Sequence, residues 1–372
     1  MVVFSMAVLT RILFLSKSGH QSRKMDIISS FLISKTYCYH LDLSVHMDNI
    51  DIKIMKELLM DFMMPPRNAH GRRSFRSIAK SIKIDQHAIR NRIKKLQEQG
   101  VIKHWYVAVN PAVLGLKTAY LQFFLPASSD KDEIMKRMAS LFPNIGFLCN
   151  HLEPNMIVIL YYKDPKDLND DVDRLMKITK ATYVNKMPKL FAERATRLTE
   201  SDWQIIGSLL QDPWKPYSAI SKELKISSKT VKRRVETLAK DAAIYLLVDV
   251  NMRAVEGIIP ADLIVFYRDN IDSMLKEKTR LQIVEYLRDQ LVFFDPNFAP
   301  NMDHFGLILS SISKSQEIQK WVCGIEGVRQ TDISILLDVI PRLNLCEELV
   351  GDMIRQQKSS KYAESEAQRP TF

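Results

Sequence analysis

Ile78-Ala79-Lys80-Ser81-Ile82-Lys83-Ile84-Asp85 is matched later in the chain by Ile220-Ser221-Lys222-Glu223-Leu224-Lys225-Ile226-Ser227, and the match extends outward on both sides. A duplicated supersecondary unit constrains architecture more firmly than any single motif. Asp85 and Ser227 are residues of the kind that cap helix N-termini. Behind them, Ile89, Ile93 and Leu96 in one copy, and Val231, Val235 and Leu238 in the other, recur at the spacing of an apolar helix stripe. Arg92 matches Arg234. Upstream, Asp48–Leu59 pairs with Thr199–Leu210, each opening on a capping residue with an acid three positions on, Asp51 and Asp202, as in a capping box. Downstream, the β-prone Val101–Val109 ends at Asn110-Pro111, and Ile244–Val250 ends at Asn251. Three helices and a β-hairpin are expected in each copy: a winged helix-turn-helix, twice.

The segments after the winged units repeat more faintly. Strand-like 119–125, helix-like 130–142, strand-like 145–151 and 156–162, helix-like 167–178 and strand-like 181–191 give the order βαββαβ, a ferredoxin-like sandwich. The second copy runs through 262–267, 272–288, 291–294, 304–310, 314–322 and 328–339, and Pro154-Asn155-Met156 is echoed by Pro300-Asn301-Met302. The expected fold class is therefore α+β. Winged domains at 47–111 and 198–252 alternate with ferredoxin-like domains at 112–192 and 253–345. Residues 351–372 are polar and aperiodic and are expected to form a flexible tail. Residues 1–46 lack a clear period and are expected to be a dispensable or targeting extension, or the product of a start codon placed before Met25 or Met47.

Composition narrows the function. The 372 residues are 46% hydrophobic and 26% charged, an ordinary globular balance. Cys38, Cys149, Cys323 and Cys346 form no CxxC pair, which argues against a zinc ribbon or disulfide scaffold and suits a reducing cytoplasm. No apolar run reaches the roughly 18 residues of a spanning helix, so no membrane partner is expected. Lys and Arg number 53 against 43 acids, an excess that points to an anionic partner. That excess is localised. Residues 67–104 carry +9 and residues 215–240 carry +6, whereas 119–191 carry +1 and 259–345 carry −3.

On the third helix of the first copy, His87, Arg90, Asn91, Lys94 and Lys95 lie off the apolar stripe; on the second, Lys229, Lys232 and Arg233 do. Such a face suits the major groove, with Arg and Lys matching guanine edges and phosphates and Asn91 matching adenine. Arg72, Arg73 and Arg76 flank it from the inserted loop and the second helix, and Lys103 with His104 sits where a wing would meet the backbone. Trp105 and Tyr106 are expected in the hairpin core. No metal spacing, nucleophile elbow or phosphate loop is present, so no cofactor is expected.

The opening helix from Asp48 to Leu59, the run Ile78-Ala79-Lys80, the run from Arg92 to Ile102, and Asn110-Pro111 with Leu114-Gly115 resemble the Lrp/AsnC family of prokaryotic transcriptional regulators. The resemblance covers residues 48 to about 345 as two copies, and the tandem arrangement looks archaeal. It implies that a ferredoxin-like effector-binding and oligomerisation domain follows each winged domain. The family's Gly-Asp-type turn before the third strand is replaced by Leu152-Glu153-Pro154-Asn155-Met156 and Phe298-Ala299-Pro300-Asn301-Met302, which weighs against an amino-acid-like effector. Asp241-Ala242-Ala243 stands where the first copy has Gln99-Gly100-Val101, so a differently set second wing is expected.

The resulting expectation is a cytoplasmic, sequence-specific regulator of double-stranded DNA, not an enzyme, that forms a pseudo-dimer within one chain or a homo-oligomer. Because Arg90, Asn91 and Lys94 stand opposite Lys232, Arg233 and Glu236, an asymmetric site is expected. Two alternatives compete. Sirohaem decarboxylases resemble the same family, but His151 lacks the Tyr-x-Arg context expected there, and the second copy has Asp295-Pro296-Asn297. A non-specific architectural protein would share the charge pattern, since phosphate contacts give affinity whatever the sequence.

Overall fold

The computed structural model describes residues 45–59, 74–189, 198–299, 301–342 and 344–367. The extension before residue 45, the inserted loop with Arg72 and Arg73, and the last five residues lie outside the described residues.

Each copy opens with three helices: α1 (Asn49–Leu59), α2 (Phe75–Ile82) and α3 (Gln86–Glu98) in the first. The second has α6 (Glu200–Gln211), α7 (Tyr217–Leu224) and α8 (Ser228–Lys240). The repeated Lys83 and Lys225 end the middle helices in the left-handed region, at φ 63° and 53°, and set the turn into α3 and α8. Asp85 and Ser227 then cap α3 and α8 through side-chain oxygens, as their position suggests. The stripes Ile89/Ile93/Leu96 and Val231/Val235/Leu238 are fully buried.

The structure corrects the expected hairpin. Among the described residues, each module gives one strand to a shared ribbon: β1 (Ile102–Val109) from the first and β6 (Ile244–Val250) from the second, paired antiparallel with each other. The interlock continues in the cores. Val107 and Val109 of β1 pack into the cluster that holds Trp203, Ile205 and Val235 of the second module. Val248 and Val250 of β6 pack into the first module's core with Ile54, Ile78 and Ile93. Each module is completed by a strand from the other copy.

The ends of α3 and α8 correct a second expectation. Gly100 takes φ 71°, and Ala242 takes φ 53° in its place. The bonds Gly100 N–H to Gln97 O and Val101 N–H to Leu96 O are mirrored by Ala242 N–H to Ala239 O and Ala243 N–H to Leu238 O. The second strand therefore leaves its helix as the first does, with an alanine bearing a left-handed conformation that disfavours a Cβ by about 1–2 kcal/mol. Ala242→Gly is expected to raise the second module's stability by about 0.5–1 kcal/mol, read as an increase in urea midpoint, offset in part by the greater freedom of glycine in the unfolded chain.

Both βαββαβ units form. The first comprises β2 (Lys117–Phe124), α4 (Lys131–Leu141), β3 (Ile145–His151), β4 (Asn155–Tyr162), α5 (Pro165–Thr179) and β5 (Tyr183–Lys189). The second comprises β7 (Ile259–Tyr267), α9 (Ser273–Tyr286), β8 (Leu291–Ala299), β9 (Met302–Leu309), α10 (Ile312–Cys323) and β10 (Val328–Pro341). They are not separate sheets. β10 is long enough to pair β7 with its first half and β3 with its second, giving one eight-stranded sheet in the order β8-β9-β7-β10-β3-β4-β2-β5. One face carries the helices over two cores, around Phe123 and Leu160 and around Phe305 and Leu263. On the opposite face, Tyr120, Ile157 and Ile159 of the first half join Ile264, Ala299 and Met302 of the second in one cluster.

The echoed Pro-Asn-Met does not mark equivalent positions. Met156 faces the helices, whereas Met302 lies on the face the two halves share. Asn155 is already in a strand, while Asn301 is a turn residue at φ 56°. The expected tail is also different: α11 (Asn344–Ala367) is a helix that sets Cys346 and Val350 into the second module's core. Gly207 of α6 faces Ile354 closely enough that an added Cβ would lie 2.8 Å from its Cδ1.

Candidate nucleic-acid interface

With the stripes of α3 and α8 buried, the opposite faces are presented to solvent. His87, Arg90, Asn91, Lys94 and Lys95 are exposed together on α3, with Arg76 exposed on α2. Lys229, Lys232 and Arg233 are exposed together on α8. Lys94 lies 3.6 Å from Glu98 and Lys232 3.9 Å from Glu236, both helical i,i+4 pairs whose charges remain open to a phosphate. Lys103 is exposed on β1. Its ammonium lies 3.7 Å from the buried Asp249 carboxylate, which His104 also approaches at 3.4 Å. Both side chains thus lean on the ribbon's own acid.

The matched arginines tie α3 and α8 to the first helix of their own modules. The Arg92 guanidinium on α3 donates to Asp48 at 2.7 Å and to Asp51 at 2.8 Å, bridging to the start of α1. Arg234 on α8 donates to Thr199 at 3.0 Å and Asp202 at 2.9 Å at the start of α6. In the second copy the capping box is complete, since Thr199 accepts from the Asp202 N–H and Asp202 from the Thr199 N–H. In the first, Asp48 accepts from the N–H groups of Ile50 and Asp51. The Asp51 N–H and the Arg92 guanidinium hold the Asp48 carboxyl below its usual range. The sequence displayed both halves of this device, the paired acids and the paired arginines, but only the fold joins them. Arg92→Ala and Arg234→Ala are each expected to lower stability by about 1–3 kcal/mol, seen in denaturant midpoints.

On the sheet face shared by the two halves, His151 of β3 and His304 of β9 converge on Asp262 of β7. Their Nε2 atoms lie 2.9 Å and 3.1 Å from its two carboxylate oxygens. All three are buried, His151 completely, and the Phe293 ring meets His304 edge-on. Burial alone would push the Asp262 carboxyl up. The charge of His304 and the hydrogen bonds from both imidazoles outweigh it and hold the group well below its ordinary value. The cluster ties the two half-sheets together. Lys131 donates to the backbone carbonyls of His151 and Glu153 and so braces the β3–β4 turn.

Comparison with known proteins agrees with this geometry. The AsnC-type helix-turn-helix domain matches residues 47–97, and a winged helix-turn-helix DNA-binding domain matches residues 198–241. The first of the two winged units thus matches an AsnC-type model and the second a general winged helix-turn-helix model. The HTH-type transcriptional regulator Ptr1 of Methanocaldococcus jannaschii is 27% identical over 122 residues, 33% of this chain and 76% of that protein. The HTH-type transcriptional regulator LrpA of Pyrococcus abyssi is 27% identical over 129 residues, 33% of this chain and 87% of that protein. Each of these two relatives aligns with about a third of this chain. Among solved structures, the siroheme decarboxylase NirDL aligns over 82% of this chain and 100% of its own at 13% identity and a TM-score of 0.44. Among the described residues, no helix is long and apolar enough to cross a membrane.

Proposed function

We propose that this chain is a transcription regulator that binds double-stranded DNA through α3 and α8 together, as a pseudo-dimer built from its own two halves. The observation that carries this reading is the shared β1–β6 ribbon, which ties two exposed basic helices into one body. Two further observations support it: β10 runs through both half-sheets, and each winged core borrows a strand from the other copy. The chain acts by binding, in the cytoplasm, and its relatives are named as regulators. His151 and His304 serve the joint between the halves and, being buried on Asp262, are not offered to a substrate.

Because the exposed faces of α3 and α8 differ, the two half-sites are unlike. Arg90 with Asn91 matches a guanine beside an adenine, whereas Lys232 with Arg233 matches guanines and phosphates. Fluorescence anisotropy of the full chain with random duplex across a salt series tests the electrostatic part. With roughly 6–10 neutralised phosphates, log K should fall against log salt with a slope of about −5 to −9. Absence of binding at low salt would overturn the reading.

A further inference from the structure

Trp214 lies in the turn between α6 and α7 of the second module, its backbone N–H held by the Asp212 carboxylate at 2.9 Å. Its ring meets Trp105 of β1 edge to face, with centroids 5.1 Å apart and planes at 85°. It also meets Phe75, the first residue of α2, at 6.0 Å. Trp105 and Phe75 belong to the first copy, and both pack against that module's core. One side chain of the second module therefore touches both the ribbon and the helix that precedes the first recognition helix.

The repeat that aligns Val101 with Ala243 places Leu247 opposite Trp105 and Tyr217 opposite Phe75. Leu247 packs with Tyr106 and Ala108 of the ribbon itself, and Tyr217 packs on its own module's cluster. A two-stranded ribbon is the most freely twisting form of sheet. Hydrogen bonds between β1 and β6 fix their register but leave the twist soft, and twist is what sets the angle between α3 and α8. Aromatic pairs at these distances add directional attraction beyond burial, and Trp214 applies it at the flank where twisting would separate the modules.

We propose that Trp214, acting through Trp105 and Phe75, is the positioning residue that fixes the spacing and mutual angle of the two recognition helices, and so the separation of half-sites the chain accepts. This rests on the DNA-binding reading above. Half-sites on one face of B-DNA lie about 34–36 Å, or 10–10.5 base pairs, apart. Adding one base pair turns the second half-site by about 35° as well as moving it. A clamped pair of helices should reject that change unless the DNA is re-twisted, which takes deformation energy. An unclamped pair should follow it.

The test has two parts, both on the full chain. Without DNA, an edge-to-face tryptophan pair gives an exciton couplet in the far-ultraviolet circular dichroism. Trp214→Ala and Trp105→Phe should each abolish it, and Trp321→Phe should leave it. With DNA, a selected site is rebuilt with one base pair inserted or removed between its halves. The wild type should lose roughly tenfold or more in affinity for each altered spacing, and Trp214→Ala less than about threefold. Trp214→Phe should restore most of the discrimination. An unchanged spacing profile in a variant that has lost the couplet would overturn the proposal. If Trp214→Ala fails to fold, Trp105→Phe, which keeps the apolar packing, decides the same question. A wild-type chain that shows the couplet yet binds no duplex would defeat the underlying DNA reading instead.

Discussion

Arg90→Ala combined with Lys94→Ala is expected to weaken DNA binding by about 100-fold, the sum of a base-edge contact and a phosphate contact at about 1–3 kcal/mol each. Both side chains are exposed on α3, off the buried Ile89/Ile93/Leu96 stripe, so their loss leaves the module's core intact. The salt slope should become shallower by about one for each phosphate contact removed. Lys163→Ala with Lys166→Ala, exposed on the first sandwich, provides the control and should change affinity little. Lys131 is unsuitable there because it holds the carbonyls of the β3–β4 turn. Equal losses in the two double variants would mean that α3 is not a reading helix.

Asp262→Asn is expected to have the largest effect on stability, about 3 kcal/mol or more, because it removes the buried carboxylate that both imidazoles contact, at 2.9 Å and 3.1 Å. The pH dependence follows from the sign of the shift. The folded carboxyl is held below its ordinary value by His304 and His151, and the unfolded one titrates near about 3.9. The stabilisation is therefore fully present above pH ~4 and drains away as the pH falls through the folded value. In urea titrations the gap between wild type and Asp262→Asn should be wide at neutral pH and should narrow only below about pH 4. A gap that stayed constant into acid would mean that the carboxylate charge is not what joins the half-sheets.

The repeat made much of this fold legible. Capping residues, the i,i+4 stripes and the βαββαβ order are local properties, and they appear where the sequence places them. Pairing between copies is a different matter. β1 and β6 each read as half of a hairpin, because strand propensity says nothing about which strand is the partner. The same limit hid the junction at β10, where an unbroken run of fourteen residues serves two neighbours in turn. Pro-Asn-Met misled because a sequence echo ignores pleat phase: Met156 and Met302 face opposite sides. The polar composition of 351–367 suggested a tail, yet the start of α11 carries the apolar Cys346 and Val350 that dock it.

The exposed basic faces were legible at the level of whole helices, and the neighbours of single residues were less so. His87, Arg90, Asn91, Lys94, Lys95, Lys229, Lys232 and Arg233 are exposed as their off-stripe positions require, and Arg76 joins them from α2. Lys103 is exposed too, and the ribbon brings Asp249, 146 positions away in sequence, to 3.7 Å from its ammonium. Trp105 packs on the core of its own module, and there it also meets Trp214 of the other module. In each case the sequence showed the residue and the fold supplied its neighbour.

The most direct test of two unlike reading helices on one body is a selection from a random duplex library with the full chain, followed by sequencing of the bound pool. The expected result is one compact site with two dissimilar half-sites about 10–10.5 base pairs apart, bound by a single chain. A strict palindrome would contradict the pseudo-dimer with unequal helices, and a pool without enrichment would contradict sequence reading altogether.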